Sequence, residues 1–136
     1  MQLLAGVKLC TLRPITNHPH YEDKDLRERT IDLYRMYGRQ SAEDVHAVLQ
    51  KYNASYVILE DSICLRPTQG GCGLPSLVDA HYSQVKSDVT DDVQHQTQIP
   101  RFCDKVRHQT PDYKKYFQLV FHNRTFRVYK VVVLTD

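Results

Sequence analysis

The chain has 136 residues, 41% of them hydrophobic and 25% charged, which is the composition of one folded domain and not of a disordered segment. Its formal net charge of +2, with basic residues spread along the chain, gives no footing for nucleic-acid binding. No stretch approaches the ~20 consecutive apolar residues needed to cross a bilayer, and Met1–Gly6 lacks the basic start and long apolar core of a signal peptide.

In chain order, Leu3 to Leu9 reads as a short buried strand with Gly6 as a weak point. Because Met1 opens straight into this segment, the chain is expected to be a fragment that begins within a domain. The strand feeds a loop, Arg13-Pro14-Ile15-Thr16-Asn17-His18-Pro19-His20-Tyr21-Glu22-Asp23, rich in imidazole, guanidinium, carboxylate and phenol groups. Two prolines fix φ and bias their predecessors toward extended backbone, so the loop is expected to be stiff. A rigid polar loop at a strand end is a common place for a binding site.

Helical spacing of Leu26, Arg29-Thr30, Leu33 and Tyr37, with acids in the first turn and Gly38 as a stop, predicts a helix over 23–38. Ser41 and Asp44 form a box-like N-terminus for a second helix, whose apolar face is Val45, Val48, Leu49 and Tyr52 and which ends at Asn53. Tyr56-Val57-Ile58-Leu59 is expected to be a buried central strand, with Glu60-Asp61-Ser62 beyond its carboxyl end.

From residue 65 to 100 the pattern dissolves and predicts an irregular surface insertion, with a turn at Gly70–Gly73 and one helical turn over 74–78. Arg101 to His108 suits a helix with Phe102, Cys103 and Val106 inward. Tyr116–Phe121 and Thr125–Val131, joined by His122-Asn123-Arg124, make a β-hairpin. The sum is a single α/β domain over 1–136, a small mixed sheet with helices packed on it and a C-terminal hairpin.

Candidate chemistry is sparse. His18, His20, Glu22 and Asp23 carry metal-binding atoms without a familiar ligand spacing, so no metal site is expected. Glu60-Asp61 could serve as an acid/base pair, but a solvated loop or an ion pair with Arg66 or Lys130 is the preferred reading. Neither Cys64 nor Cys103 sits in a recognisable nucleophile setting. One disulfide is expected among Cys64, Cys72 and Cys103, its pairing open, while Cys10, at the end of the expected strand, is expected to be free. Asn53-Ala54-Ser55 and Asn123-Arg124-Thr125 are N-glycosylation sequons. Cysteines and sequons together lean toward the secretory pathway.

Gly6–Thr11, Asn17–Asp23, Leu26–Thr30, Tyr56–Cys64, Arg101–Cys103 and Phe121–Lys130, in that order, resemble the Dpy-type (dumpy-nineteen) protein C-mannosyltransferases. The block Asn17-His18-Pro19-His20-Tyr21-Glu22-Asp23 is the specific one, and the cysteine-bearing pieces look most like the third vertebrate paralogue. The resemblance implies the C-terminal lumenal domain of a GT-C enzyme of the endoplasmic reticulum membrane. Such enzymes transfer mannose from dolichyl-phosphate mannose to C2 of tryptophan in W-x-x-W or W-x-x-C motifs, for example in thrombospondin-type repeats. It places no catalytic residue and no cofactor in this chain, whose partners would be the acceptor polypeptide and the remaining membrane portion of its own protein. By that analogy Arg13, His18, His20, Tyr21 and Glu22 form the acceptor-side loop. The alternative is a non-catalytic secreted or lumenal α/β binding module.

Overall fold

A computed structural model describes residues 2–17, 22–65, 73–86 and 99–134. Its first element, α1 (Gln2–Thr11), is a helix and corrects the strand expected over Leu3–Leu9. A short continuous apolar run has no periodicity that separates helix from buried strand. Here Leu, Ala and Lys supply helix propensity that one glycine does not cancel. The helix lies at the surface: Leu9 is 79% exposed, and Cys10 is an exposed free thiol, not the end of a buried strand.

The next two helices start where the sequence says they should. Asp23 caps α2 (Lys24–Tyr34) by accepting the Leu26 N–H at 2.9 Å, and a 3₁₀ turn, Arg35–Tyr37, continues it to Gly38. Ser41 Oγ caps α3 (Ala42–Lys51) by accepting the Asp44 N–H at 3.0 Å. Asn53, in the left-handed region at φ 52°, turns the chain out of α3 toward β1.

β1 (Tyr56–Glu60) runs into a one-turn helix, α4 (Asp61–Cys64). Helix α5 spans Leu74–Lys86, well beyond the single turn expected at 74–78. One-turn helices α6 (Phe102–Lys105) and α7 (Pro111–Lys114) flank a 3₁₀ turn at Val106–His108. The hairpin is β2 (Phe117–His122) and β3 (Phe126–Val131). The α/β class, the helices on a small sheet and the C-terminal hairpin are all present.

The sheet is antiparallel in the order β1-β3-β2. β1 is therefore an edge strand, a correction to its expected central place, and β3 is the middle one. Only alternate residues of the apolar run, Val57 and Leu59, are buried, whereas Tyr56 is 51% exposed. One sheet face, with Val57, Leu59, Phe117, Tyr129 and Val131, packs on Leu33, Tyr37, Val45 and Leu49 of the helical layer. Phe102, fully buried, fills the centre of this core with its ring 5.0 Å from that of Phe117 and 6.0 Å from that of Tyr113. His46 belongs to the same interior: its Nε2 lies 2.6 Å from the Val132 carbonyl and its ring 4.9 Å from that of Tyr116.

Two carboxylates tie the layers. Asp79 of α5 accepts the Arg39 N–H at 2.8 Å and pairs with Arg101 at 3.3 Å. Gly38 admits this contact, since a Cβ there would sit 2.8 Å from Val78 Cγ1 and 2.9 Å from Asp79 Oδ1. Asp32 of α2 accepts from Lys51 Nζ at 2.8 Å and Tyr52 Oη at 2.6 Å of the α3 end. Burial raises the Asp32 pKa, but the Lys51 and Tyr52 hydrogen bonds with the Lys51 and Arg35 charges outweigh it and hold the carboxyl below its ordinary 3.8. A group with a depressed folded pKa stabilises above its unfolded value and loses that contribution as pH falls through the folded one. Asp32→Asn is therefore expected to be less stable than the parent at neutral pH, with the difference closing below about pH 4. Urea melts of both proteins from pH 7 to 2 check this, and a constant difference across that range would refute it.

Candidate functional site

A cleft of about 580 Å³ opens between α1, the 13–17 loop, α2 and β1. Leu3, Leu4 and Val7, one face of α1, form its roof, and Tyr56 and Ile58 lie along β1 at its side. Arg13 and Thr16 come from the loop and Arg29 from α2. Leu12, at φ 56°, ends α1 and turns the chain into that loop, where the Thr11 hydroxyl accepts the Arg13 N–H at 3.2 Å. Arg29 is the best-placed polar group. Its guanidinium carbon lies 5.5 Å from the centre of the Tyr52 ring and its Nη1 reaches the Thr16 carbonyl at 3.4 Å. Its Nε is buried and has no partner among the described residues. The cleft is thus mostly apolar, with two guanidinium groups, Arg13 and Arg29, among its lining residues, the makeup of a ligand-binding groove.

Of the residues singled out in the sequence, Arg13 lines this cleft, and Glu22 is exposed beside the start of α2. His18, His20, Tyr21 and Cys72 lie outside the described residues. Sequence reasoning missed Arg29, which it took only as part of a helical face. Its spacing two turns before Tyr37 is the one available signal, and that marks an inward direction and no role. Among the described residues no three His, Cys, Asp or Glu side chains gather to hold a metal ion.

Asp61 lies at the other end of β1. It pairs with Arg127 Nε at 3.1 Å and with Arg107 at 3.8 Å, neither of which is the partner expected from the sequence. Its neighbour Glu60 accepts from the Ser62 hydroxyl instead. Both carboxylates are occupied by internal partners, and the arrangement is an ion-pair hub at a strand end. Leu65, Leu74 and Pro75 wall a depression of about 930 Å³ next to it, whose lining also includes Ser62, Arg124 and Thr125.

Cys64 and Cys103 are buried free thiols in hydrogen-bond contact. That contact, then burial and the nearby Asp61 charge, push the Cys64 thiol far above its ordinary value, so it carries no thiolate nucleophile. Burial pushes the Tyr129 phenol up to about 12, and its hydroxyl has no partner among the described residues. Asn53 and Asn123 are both exposed. Asn123 Oδ1 accepts the N–H groups of Thr125 at 2.8 Å and Phe126 at 2.7 Å, which shapes the hairpin tip and turns its sequon outward. Among the described residues no helix is long and apolar enough to cross a membrane.

Residues 1–131 match the model of a family described as Dpy19: Q-cell neuroblast polarisation. The chain is 37% identical over 131 residues to a probable C-mannosyltransferase, DPY19L4, of Mus musculus, covering 96% of this chain and 18% of that protein. It is 39% identical over 132 residues to the protein C-mannosyl-transferase DPY19L1 of Homo sapiens, covering 97% of this chain and 18% of that protein. A shorter match, 41% over 64 residues, covers 47% of this chain and 9% of the C-mannosyltransferase dpy-19 of Caenorhabditis elegans. The chain spans about a fifth of the length of the first two of these relatives. With nearly its whole length matched in this way, the chain belongs to the Dpy19 family.

Proposed function

We propose that the chain is the C-terminal lumenal part of a protein C-mannosyltransferase, inactive alone, that helps position the acceptor polypeptide. The observation that carries this is the alignment of almost the whole chain with relatives named as C-mannosyltransferases. The donor would be dolichyl-phosphate mannose, and the acceptor a tryptophan in W-x-x-W or W-x-x-C motifs such as those of thrombospondin-type repeats. The catalytic carboxylate and donor groove would lie in the membrane portion, the second partner of this domain. A lumenal setting at the endoplasmic reticulum membrane would allow glycans at Asn53 or Asn123. It would also favour oxidation of the Cys64 and Cys103 thiols, the pair already in contact among the three disulfide candidates.

The acceptor-side role falls to the loop that ends α1. Arg13 on the cleft wall supports it, and His18, His20, Tyr21 and Glu22 extend the same polar segment. The test uses full-length protein produced in cells without other C-mannosyltransferases, together with a thrombospondin-type repeat. Mass spectrometry is expected to find hexose on its tryptophans, and glycosidase treatment to shift the enzyme itself on a gel. Alanine at Arg13, His18 or His20 is expected to cut the modification about ten-fold or more at normal expression, the scale of losing one charge-assisted hydrogen bond. Full modification by all three variants would remove the loop from acceptor binding. Absence of modification by the parent protein would remove the activity.

A further inference from the structure

The cleft contains more than side chains. In the β1–β3 ladder the Ser55 carbonyl accepts the Val131 N–H at 2.9 Å, and the Asp61 N–H donates to the Thr125 carbonyl at 2.8 Å. Backbone groups alternate direction along an antiparallel strand, so residues 55, 57, 59 and 61 turn theirs toward β3. Tyr56, Ile58 and Glu60 turn theirs off the sheet, to the edge where no strand pairs among the described residues. The Tyr37 phenol lies near the Glu60 backbone. Among the described residues the backbone groups of Tyr56 and Ile58 have no partner. Both residues line the cleft.

An open strand edge is a template for another chain, and folded proteins usually blunt it with charge, proline or a covering element. β1 has neither lysine nor proline, and its one charged residue is Glu60 at its end. Its cover is incomplete, because α1 roofs a cleft and does not seal it. Five residues of strand give about 17 Å of edge. We propose that this edge seats an extended segment of the acceptor polypeptide as a fourth strand, under the apolar face of α1. The identity of the occupant rests on the function proposed above. The strand mode rests on the unpaired backbone groups.

Charge fixes what the segment carries. Arg29 brings a buried Nε, unpartnered among the described residues, to the Tyr52 end of the cleft, and Arg13 adds a second guanidinium to its lining. Glu60, at the opposite end, is already engaged with Ser62. The complementary segment has a carboxylate where it passes Arg29 and apolar side chains facing Leu3, Leu4 and Val7.

The experiment uses full-length protein in lipid nanodiscs and a synthetic acceptor peptide containing an acidic residue. Two further peptides carry N-methyl groups on every second amide, in the two possible registers. Strand addition points only alternate amides at the edge, so one register is expected to bind about ten-fold or more weakly while the other binds like the parent. Ile58→Pro removes an outward N–H that the β3 ladder does not use and is expected to weaken binding to the same degree. Arg29→Gln is expected to weaken the acidic peptide and leave its amide analogue unchanged, which keeps the test open where the proline variant misfolds. Equal binding in both registers, or no binding of the parent peptide, overturns the proposal. Mannosyl transfer to the same peptides is read separately. Transfer without register dependence leaves the enzymatic reading standing and removes the fourth strand. Register-dependent binding without transfer does the reverse.

Discussion

Phe102→Ala is expected to lower the unfolding free energy by about 3–5 kcal/mol, the range for truncating a fully buried aromatic side chain. Phe102 has no exposed surface, and it stands where α6, α7 and β2 meet. Its edge-to-face contact with Phe117, rings inclined at 69°, adds to the area it buries. The helices around it are single turns and cannot persist without packing. A domain of this size has roughly 5–15 kcal/mol in total. The variant should therefore melt about 10–20 °C lower by calorimetry. A shift under about 3 °C would mean that the core closes over the gap and that Phe102 is not its centre. Phe102→Leu, closer in volume, is expected to lose markedly less.

Asp61→Ala should be the most damaging change to a charged residue. The carboxylate is shared by Arg107 and Arg127, whose side chains are 23% and 18% exposed. Removal leaves two guanidinium groups facing each other beside Tyr129, with Arg107 Nε already buried and unpartnered among the described residues. Breaking a fully buried pair costs about 3–5 kcal/mol, and partial exposure brings the expectation to about 2–3 kcal/mol. The double variant Asp61→Ala with Arg127→Met is expected to recover part of that loss, because it removes an orphaned charge as well as its partner. Chemical denaturation of the single and double variants checks both numbers. Additive losses would show that the pair is not coupled.

Legibility in the sequence followed the range of the interaction. Asp23, Ser41 and Asn53 act on residues within one turn, and the boundaries they imply for α2 and α3 are those observed. The hairpin was equally plain, because only three residues separate its two strands. Leu3–Leu9 misled because six apolar or small residues with one lysine satisfy helix and strand alike. Tyr56–Leu59 misled in its place, not its type: pairing is decided by β3, seventy residues downstream. Arg127 and Arg101, which pair with Asp61 and Asp79, lie 66 and 22 residues further along the chain, and no local pattern carries such a choice. The cleft was legible at Arg13, where the loop is unusual in itself. It was not legible at Arg29, whose role depends on a free strand edge that only the topology creates.

Placing β3 between β1 and β2 also sets the order of events on the ribosome. Residues 56–60 leave the tunnel long before 126–130, the segment they pair with. At about 5–20 residues per second the interval is roughly 4–14 s. Throughout it β1 has both edges open and no sheet to join, while the helical layer before it has already been made. The hairpin is synthesised after it and can close by itself, within microseconds. Once formed, it presents β3 to a strand that has waited for it, and only then is there a sheet face to cover the helical layer. A ribosome stalled short of residue 126 would hold a chain whose helices have no sheet to pack on.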